Sequence, residues 1–132
     1  MPRRARVLAV DDEQEILDTL TEFLTVLGYE VVTALSAADA FVLMGVAPPD
    51  VVLLDFAMPD VDGITALGEM RAIHPEVPVI MLTANVDPAL IRHTLKHGAF
   101  HYVAKPFDFD HLADAIAAAV ASRGAEGRST LG

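Results

Sequence analysis

Two short apolar runs of this 132-residue chain end in carboxylates. Residues 7–10 are followed by Asp11 and Asp12, and residues 51–54 are followed by Asp55. A carboxylate directly after buried-type residues is held at the rim of a core rather than free on a surface. If the two runs are neighbouring parallel strands, three like charges meet at one edge of the sheet and repel one another. The cluster therefore predicts a bound cation, a bound proton or a chemical role.

Two more polar residues follow apolar runs in the same way. Thr83 follows residues 79–82, and Lys105 follows residues 100–104. The chain has no Lys, Arg or His between residues 7 and 70, so Lys105 is a rare cation. Carboxylate oxygens suit Mg²⁺, and a hydroxyl and an ammonium opposite the metal suit the oxygens of a phosphoryl group. Asp55 is then a candidate nucleophile, because carboxylates form acyl phosphates.

These residues must be positioned by alternating strands and helices. The predicted strands are residues 7–10, 31–34, 51–54, 79–82 and 100–104. Three of these runs are nearly all apolar, which is typical of strands covered on both faces. Right-handed crossovers then predict an α/β fold, a doubly wound five-stranded parallel sheet of (βα)5 flavodoxin-like topology with strand order 2-1-3-4-5. In that order the ligand-binding switch point lies between strands one and three.

Helix ends are marked by capping residues. The predicted helices span residues 13–27, 37 to about 46, 63–73, 88 to about 97, and 108–121. The predicted N-caps and stops are Ser36, Asp62, Asp87, Asp108, Gly28 and Gly98. We expect residues 1–121 to form one domain, and residues 122–132 to be a flexible tail or the start of a linker.

Composition excludes several classes of protein. Hydrophobic residues make up 53% of the chain, so its body is not disordered. There is no cysteine, so disulfides and thiolate chemistry are excluded. The net charge of −10 argues against direct nucleic-acid binding by this domain. The first apolar run is too short for a signal peptide and no stretch is long enough to span a bilayer. We therefore expect a cytoplasmic location and no membrane association.

Together these segments resemble the receiver domain of the response regulators of two-component signalling systems. The matching segments are residues 10–13, 50–63, 81–84 and 104–107, within about residues 5–121. The resemblance implies that Asp55 accepts a phosphoryl group from a histidine kinase or a histidine phosphotransfer protein, with Mg²⁺ as cofactor. It implies Mg²⁺ ligation by Asp12, Asp55 and the backbone carbonyl of Ala57, with Asp11 acting largely through water. Such a domain catalyses only its own phosphorylation and dephosphorylation.

The resemblance also implies a switch. Lys105 would contact the phosphoryl oxygens, the Thr83 hydroxyl would move toward the phosphoryl group, and Tyr102 would swing inward. The Lys105–Pro106 peptide bond would be cis. The surface formed by the fourth helix, fifth strand and fifth helix would then bind a downstream protein target.

Other functions are weighed against the switch. A phosphorylation-independent interaction module is expected to lack a site residue, and none is missing here. A magnesium phosphatase needs a second acid where Ala57 stands. In the family that the chain resembles, the residues at the positions of Ala57 and Asn85 tune the lifetime of the phosphoryl group. That lifetime is therefore left open here. Also open are the cognate kinase, the output pathway, the oligomeric state, and whether this receiver stands alone or belongs to a larger regulator.

The chain has five histidines, and the sequence predicts all of them to be exposed. They are His74, His93, His97, His101 and His111. Their spacing gives no convincing metal site, although the pair at residues 93 and 97 is one helical turn apart.

Overall fold

A computed structural model describes residues 4–131, and the side chains of residues 4–123. One parallel sheet contains five strands in the order β2-β1-β3-β4-β5. The strands are β1 (Arg6–Val10), β2 (Glu30–Ala34), β3 (Val51–Asp55), β4 (Val79–Thr83) and β5 (His101–Ala104). The predicted fold class and strand order are confirmed.

Five helices cover the two faces of the sheet. They are α1 (Gln14–Val26), α2 (Ala37–Val46), α3 (Gly63–Ile73), α4 (Pro88–Lys96) and α5 (Phe109–Leu131). Apolar side chains of α1 and α5 form the core on one face, and those of α2 and α3 form the core on the other. Strands β3 and β4 are buried along their whole length, which explains their unbroken apolar sequences.

The predicted helix caps form hydrogen bonds in the structure. The caps of α2, α3, α4 and α5 accept backbone N–H groups through the side chains of Ser36, Asp62, Asp87 and Asp108. Helices α1 and α4 end near Gly28 and Gly98, whose φ angles are 96° and 105°. Glycine adopts this left-handed conformation without a steric penalty, so both predicted helix ends are confirmed.

Helix α5 continues to Leu131, so the predicted helix end at Ala121 is wrong. Arg123 holds this part of the helix against the domain. Its Nη1 donates to the Pro49 carbonyl at 2.6 Å and lies 3.3 Å from Asp50 Oδ1. The proposed domain boundary at residue 121 and the tail at residues 122–132 stay predictions, and the side chains of residues 124–132 lie outside the described part of the chain.

No helix within the described residues is long and apolar enough to cross a membrane.

Candidate functional site

Three carboxylates converge at the carboxyl edge of the central strands. Asp11 directly follows β1 and Asp55 ends β3, and the pairing of Val10 with Leu54 brings the two strand ends side by side. Asp11 and Asp55 are buried, whereas Asp12 is exposed. One carboxylate oxygen of each acid lies within 4.8 Å of those of the other two. The juxtaposition expected at the switch point is therefore present.

Lys105 bridges two of these acids. Its Nζ donates to Asp11 Oδ2 at 2.8 Å and to Asp55 Oδ1 at 3.2 Å. The backbone N–H of Lys105 donates to the Thr83 carbonyl at 2.8 Å, which extends the pairing of β5 with β4 up to this residue. The Lys105–Pro106 peptide bond is cis, as the resemblance implied. Lys105 follows β5, which lies on the opposite side of β3 from β1, so its ammonium reaches the acids across the ends of β4 and β3.

The site is short of positive charge. Burial and the Asp11 carboxylate raise the pKa of Asp55 above its usual range, while Lys105 and the Ala57 N–H lower it by less. Burial lowers the pKa of Lys105. The hydrogen bonds to Asp11 and Asp55 and the charges of these two acids together raise that pKa by more than burial lowers it, so the net shift is upward. One ammonium thus stabilises the charge of its partners without balancing three clustered carboxylates.

Backbone groups fix the orientation of the two buried acids. Asp11 Oδ1 accepts the Glu13 N–H at 2.9 Å, at the start of α1. Asp55 Oδ1 accepts the Ala57 N–H at 3.3 Å as well as the Lys105 ammonium. Both hydrogen bonds that Asp55 accepts from the described residues therefore go to Oδ1, and Oδ2 is left for an incoming group.

The donor set fits Mg²⁺. Magnesium prefers oxygen ligands and keeps several waters, so one or two carboxylates are enough to hold it. Asp12 and Asp55 offer such oxygens. Together with Asp11 they form the one group of three or more converging potential metal ligands among the described residues. Ala57 pairs with Asp62 in an isolated antiparallel bridge, which fixes the backbone whose carbonyl is the candidate third ligand.

Thr83 lies at the end of β4 and is buried. Its hydroxyl donates to the Asn85 carbonyl at 3.1 Å and accepts the Asn85 N–H at 3.0 Å. The hydroxyl is thus bound to the following loop and makes no hydrogen bond to Asp55 in this structure. Sequence could place Thr83 at the strand end but could not give the direction of its hydroxyl.

Tyr102 is half-buried on β5 and shares a small cavity with Thr83. The cavity is also lined by Phe56, Met81, Asn85, Leu90, Ile91 and Thr94. The sequence did not predict a role for Phe56. Its position directly after Asp55 was the feature that could have indicated a place at this site. The side chains at both ends of the predicted switch therefore meet the same cavity.

Asp60 contributes to helix capping. Its carboxylate oxygens accept long hydrogen bonds from the backbone N–H groups of Ala37 and Ala38, at 3.5 and 3.3 Å, which adds a second cap to α2. The prediction that all histidines are exposed is wrong for three of them. His74, His101 and His111 are half-buried. The rings of His101 and His111 pack against each other, and His74 caps the end of α3.

The comparisons with known proteins agree with this geometry. A family model described as the response regulator receiver domain matches residues 7–117. The transcriptional regulatory protein KdpE of Mycobacterium tuberculosis is 44% identical over 114 residues, which is 86% of this chain and 50% of that protein. Sporulation initiation phosphotransferase F of Bacillus subtilis is 35% identical over 111 residues, which is 84% of this chain and 90% of that protein.

Solved structures show the same relationship. A response regulator receiver domain protein from Clostridium thermocellum superposes with a TM-score of 0.85 at 34% identity, over 91% of this chain and 97% of that chain. The chain spans about half the length of KdpE and 23% of the regulatory protein AtoC of Escherichia coli. With a family model over most of its length, this chain belongs to the receiver domains of two-component response regulators.

Proposed function

We propose that Asp55 is the phosphoacceptor of this receiver domain and takes its phosphoryl group from a histidine kinase or a histidine phosphotransfer protein in the cytoplasm. Membership of the family makes the chain a component of phosphorylation-controlled signalling. The observation that carries the assignment to Asp55 is the Lys105 ammonium, which bridges this buried carboxylate and Asp11 at the carboxyl edge of the sheet.

Phosphoryl transfer would proceed by attack of an Asp55 oxygen on phosphorus. The bond between phosphorus and the donor's imidazole nitrogen breaks, its electron pair stays on that nitrogen, and the ring takes up a proton from water. Charge builds on the equatorial phosphoryl oxygens, where cations and donors stabilise it. Lys105 is already held 3.2 Å from Asp55 Oδ1, so this donor needs little reorganisation.

The residues that would hold Mg²⁺ are Asp12, Asp55 and the Ala57 carbonyl, with Asp11 acting largely through water. Bound there, the ion neutralises charge on the phosphoryl oxygens. Ala57 adds no polar side chain beside the acyl phosphate, so this position offers an attacking water only backbone groups. This feature supports a role as acceptor rather than as a phosphatase for external substrates.

The response to phosphorylation would begin at Thr83. Its hydroxyl leaves the Asn85 backbone for a phosphoryl oxygen, which exchanges two neutral hydrogen bonds for a stronger charge-assisted one. Tyr102 lines the same cavity and moves inward as the hydroxyl leaves. About 1.4 kcal/mol of differential stabilisation shifts the two populations tenfold. The surface of α4, β5 and α5 then presents its second state to a downstream protein.

Labelling tests the assignment of Asp55. The full chain is incubated with Mg²⁺ and a phosphorylated histidine donor or a small-molecule phosphodonor, and the modified residue is found by mass spectrometry. We expect one base-labile phosphoryl group on Asp55, and none on Asp55→Asn. Asp60 is an exposed aspartate of the same loop, so Asp60→Asn is the matched control and should be labelled like wild type. Equal labelling of Asp55→Asn would remove the assignment.

Thr83 and Tyr102 are tested separately from the chemistry. Beryllium fluoride with Mg²⁺ mimics a phosphoryl group on the acceptor, and the ring resonances of Tyr102 report its position by NMR. We expect wild type and Thr83→Ser to shift these resonances on addition of the mimic. Thr83→Ala lacks the hydroxyl and should bind the mimic with little movement of Tyr102. A full shift in Thr83→Ala contradicts the coupling.

Partner binding separates the switch from a phosphorylation-independent module. If binding to the cognate target is the same with and without Mg²⁺ and phosphodonor, the domain acts as a constitutive interaction module. We expect binding to change, because the α4, β5 and α5 surface contains Tyr102 and adjoins the cavity that responds to Asp55.

A further inference from the structure

Two histidines that are not part of the acidic pocket come together between β5 and α5. His101 lies on β5 and His111 lies on the first turn of α5. Their Nε2 atoms are 3.5 Å apart, and their ring centroids are 5.2 Å apart with the planes at 71°. Both side chains are half-buried. The two rings therefore present one nitrogen each to the same small volume.

The separation matches two ligands of one tetrahedral metal ion. Zinc–imidazole bonds are about 2.0–2.1 Å long, so two such nitrogens on a tetrahedral ion lie about 3.3–3.4 Å apart. The observed 3.5 Å differs from that spacing by about the tolerance expected of a real site. The same distance also allows one hydrogen bond between two neutral rings, so a metal would compete with a shared proton.

The surroundings favour the metal-binding form of the His101 ring. A metal needs a neutral imidazole with a free lone pair. Burial and the neighbouring His111 both lower the pKa of His101, so this ring is neutral at physiological pH. The chain carries a net charge of −10, which attracts cations in general.

We propose that His101 and His111 form a binding site for a transition-metal ion such as Zn²⁺, separate from the acidic pocket. Imidazole suits Zn²⁺, Ni²⁺ and Cu²⁺ rather than Mg²⁺, so the two sites select different ions. The remaining positions on the ion are filled by water. A metal here ties β5 to α5 and fixes the His101 ring, which packs edge-on against Tyr102 with centroids 5.4 Å apart.

Zinc titration of the full chain tests the site. Zn²⁺ is added in competition with a chromophoric chelator, with excess Mg²⁺ present to occupy the acidic pocket. We expect one Zn²⁺ per chain for wild type. His101→Gln and His111→Gln should each weaken binding by at least about tenfold, since even changes that only reorient a ligand cost that much. The thermal midpoints of the variants are measured in chelator to show that they are folded.

The second histidine pair supplies the matched control. His93 lies on α4 and His97 caps its end one helical turn later. Both are exposed, and their ring centroids are 4.2 Å apart. The double variant His93→Gln/His97→Gln should bind Zn²⁺ like wild type. In wild type, the Nε2 resonances of His101 and His111 should shift together at one equivalent. The proposal is overturned if the α4 double variant loses binding, or if His101→Gln and His111→Gln bind as tightly as wild type.

Discussion

Lys105 donates to two carboxylates at once, and this sharing sets the electrostatics of the site. Asp55 is buried against a second buried acid, Asp11, and Lys105 offsets only part of that cost. The raised pKa of Asp55 means that the folded, metal-free domain disfavours its ionised form. An acid whose ionised form is disfavoured in this way is typical of functional sites. A ligand that supplies positive charge stabilises the ionised form and offsets the unfavourable free energy.

Asp55→Asn should stabilise the metal-free domain at neutral pH. The raised pKa of Asp55 means that its protonated form stabilises the fold at low pH, and this contribution is lost as pH rises through the folded pKa. An amide has no charge to bury, so we expect a gain of about 1 kcal/mol in the free energy of unfolding.

The measurement is urea unfolding in chelator at several pH values. The difference between Asp55→Asn and wild type should shrink as pH falls toward the usual range of a carboxyl group. A variant less stable than wild type at pH 7 would mean that the Lys105 ion pair outweighs burial and repulsion at Asp55.

At the scale of the element, caps and apolar runs predicted the structure well. The predicted α3 has the same bounds as the observed helix, Gly63–Ile73, because Asp62 caps its start. Each strand differs from its predicted range by one residue. β3 and β4 continue to the polar residues Asp55 and Thr83, β1 and β2 begin one residue earlier, and β5 begins one residue later. The end of α5 was missed because Arg123 anchors it through Pro49 and Asp50, a contact between distant residues.

Two glycines of α3 should respond oppositely to alanine. A Cβ on Gly63 would lie 2.6 Å from the Phe56 carbonyl oxygen, whereas a Cβ on Gly68 meets nothing within 4 Å. Gly63→Ala should destabilise the domain by about 1–3 kcal/mol, because backbone next to Asp55 must move. Gly68→Ala should stabilise it by up to about 1 kcal/mol through higher helix propensity. Guanidinium unfolding of both variants measures this, and equal effects would contradict the close approach at Phe56.

At the scale of the molecule, topology turned separate sequence signals into one site. Strand order alone brings the carboxyl ends of β1 and β3 together, so Asp11, Asp12 and Asp55 could be predicted to meet. The hydroxyl direction of Thr83 and the contact of His101 with His111 could not. The first depends on a loop conformation, and the second on how the first turn of α5 packs against β5, and neither leaves a periodic signal in the sequence.

Magnesium should stabilise the whole domain by mass action. An ion that binds only the folded state raises its stability with the logarithm of ion concentration once the site is nearly saturated. We expect the thermal midpoint to rise with Mg²⁺, because the ion relieves repulsion among three carboxylates that share one sheet edge.

Matching the ionic strength with NaCl separates site binding from general screening of the −10 net charge. Asp12→Asn is the control, since this exposed candidate ligand contributes little to the core and its loss should reduce the shift. Equal shifts in NaCl and Mg²⁺, or an undiminished shift in Asp12→Asn, would locate the effect in bulk electrostatics rather than in this site.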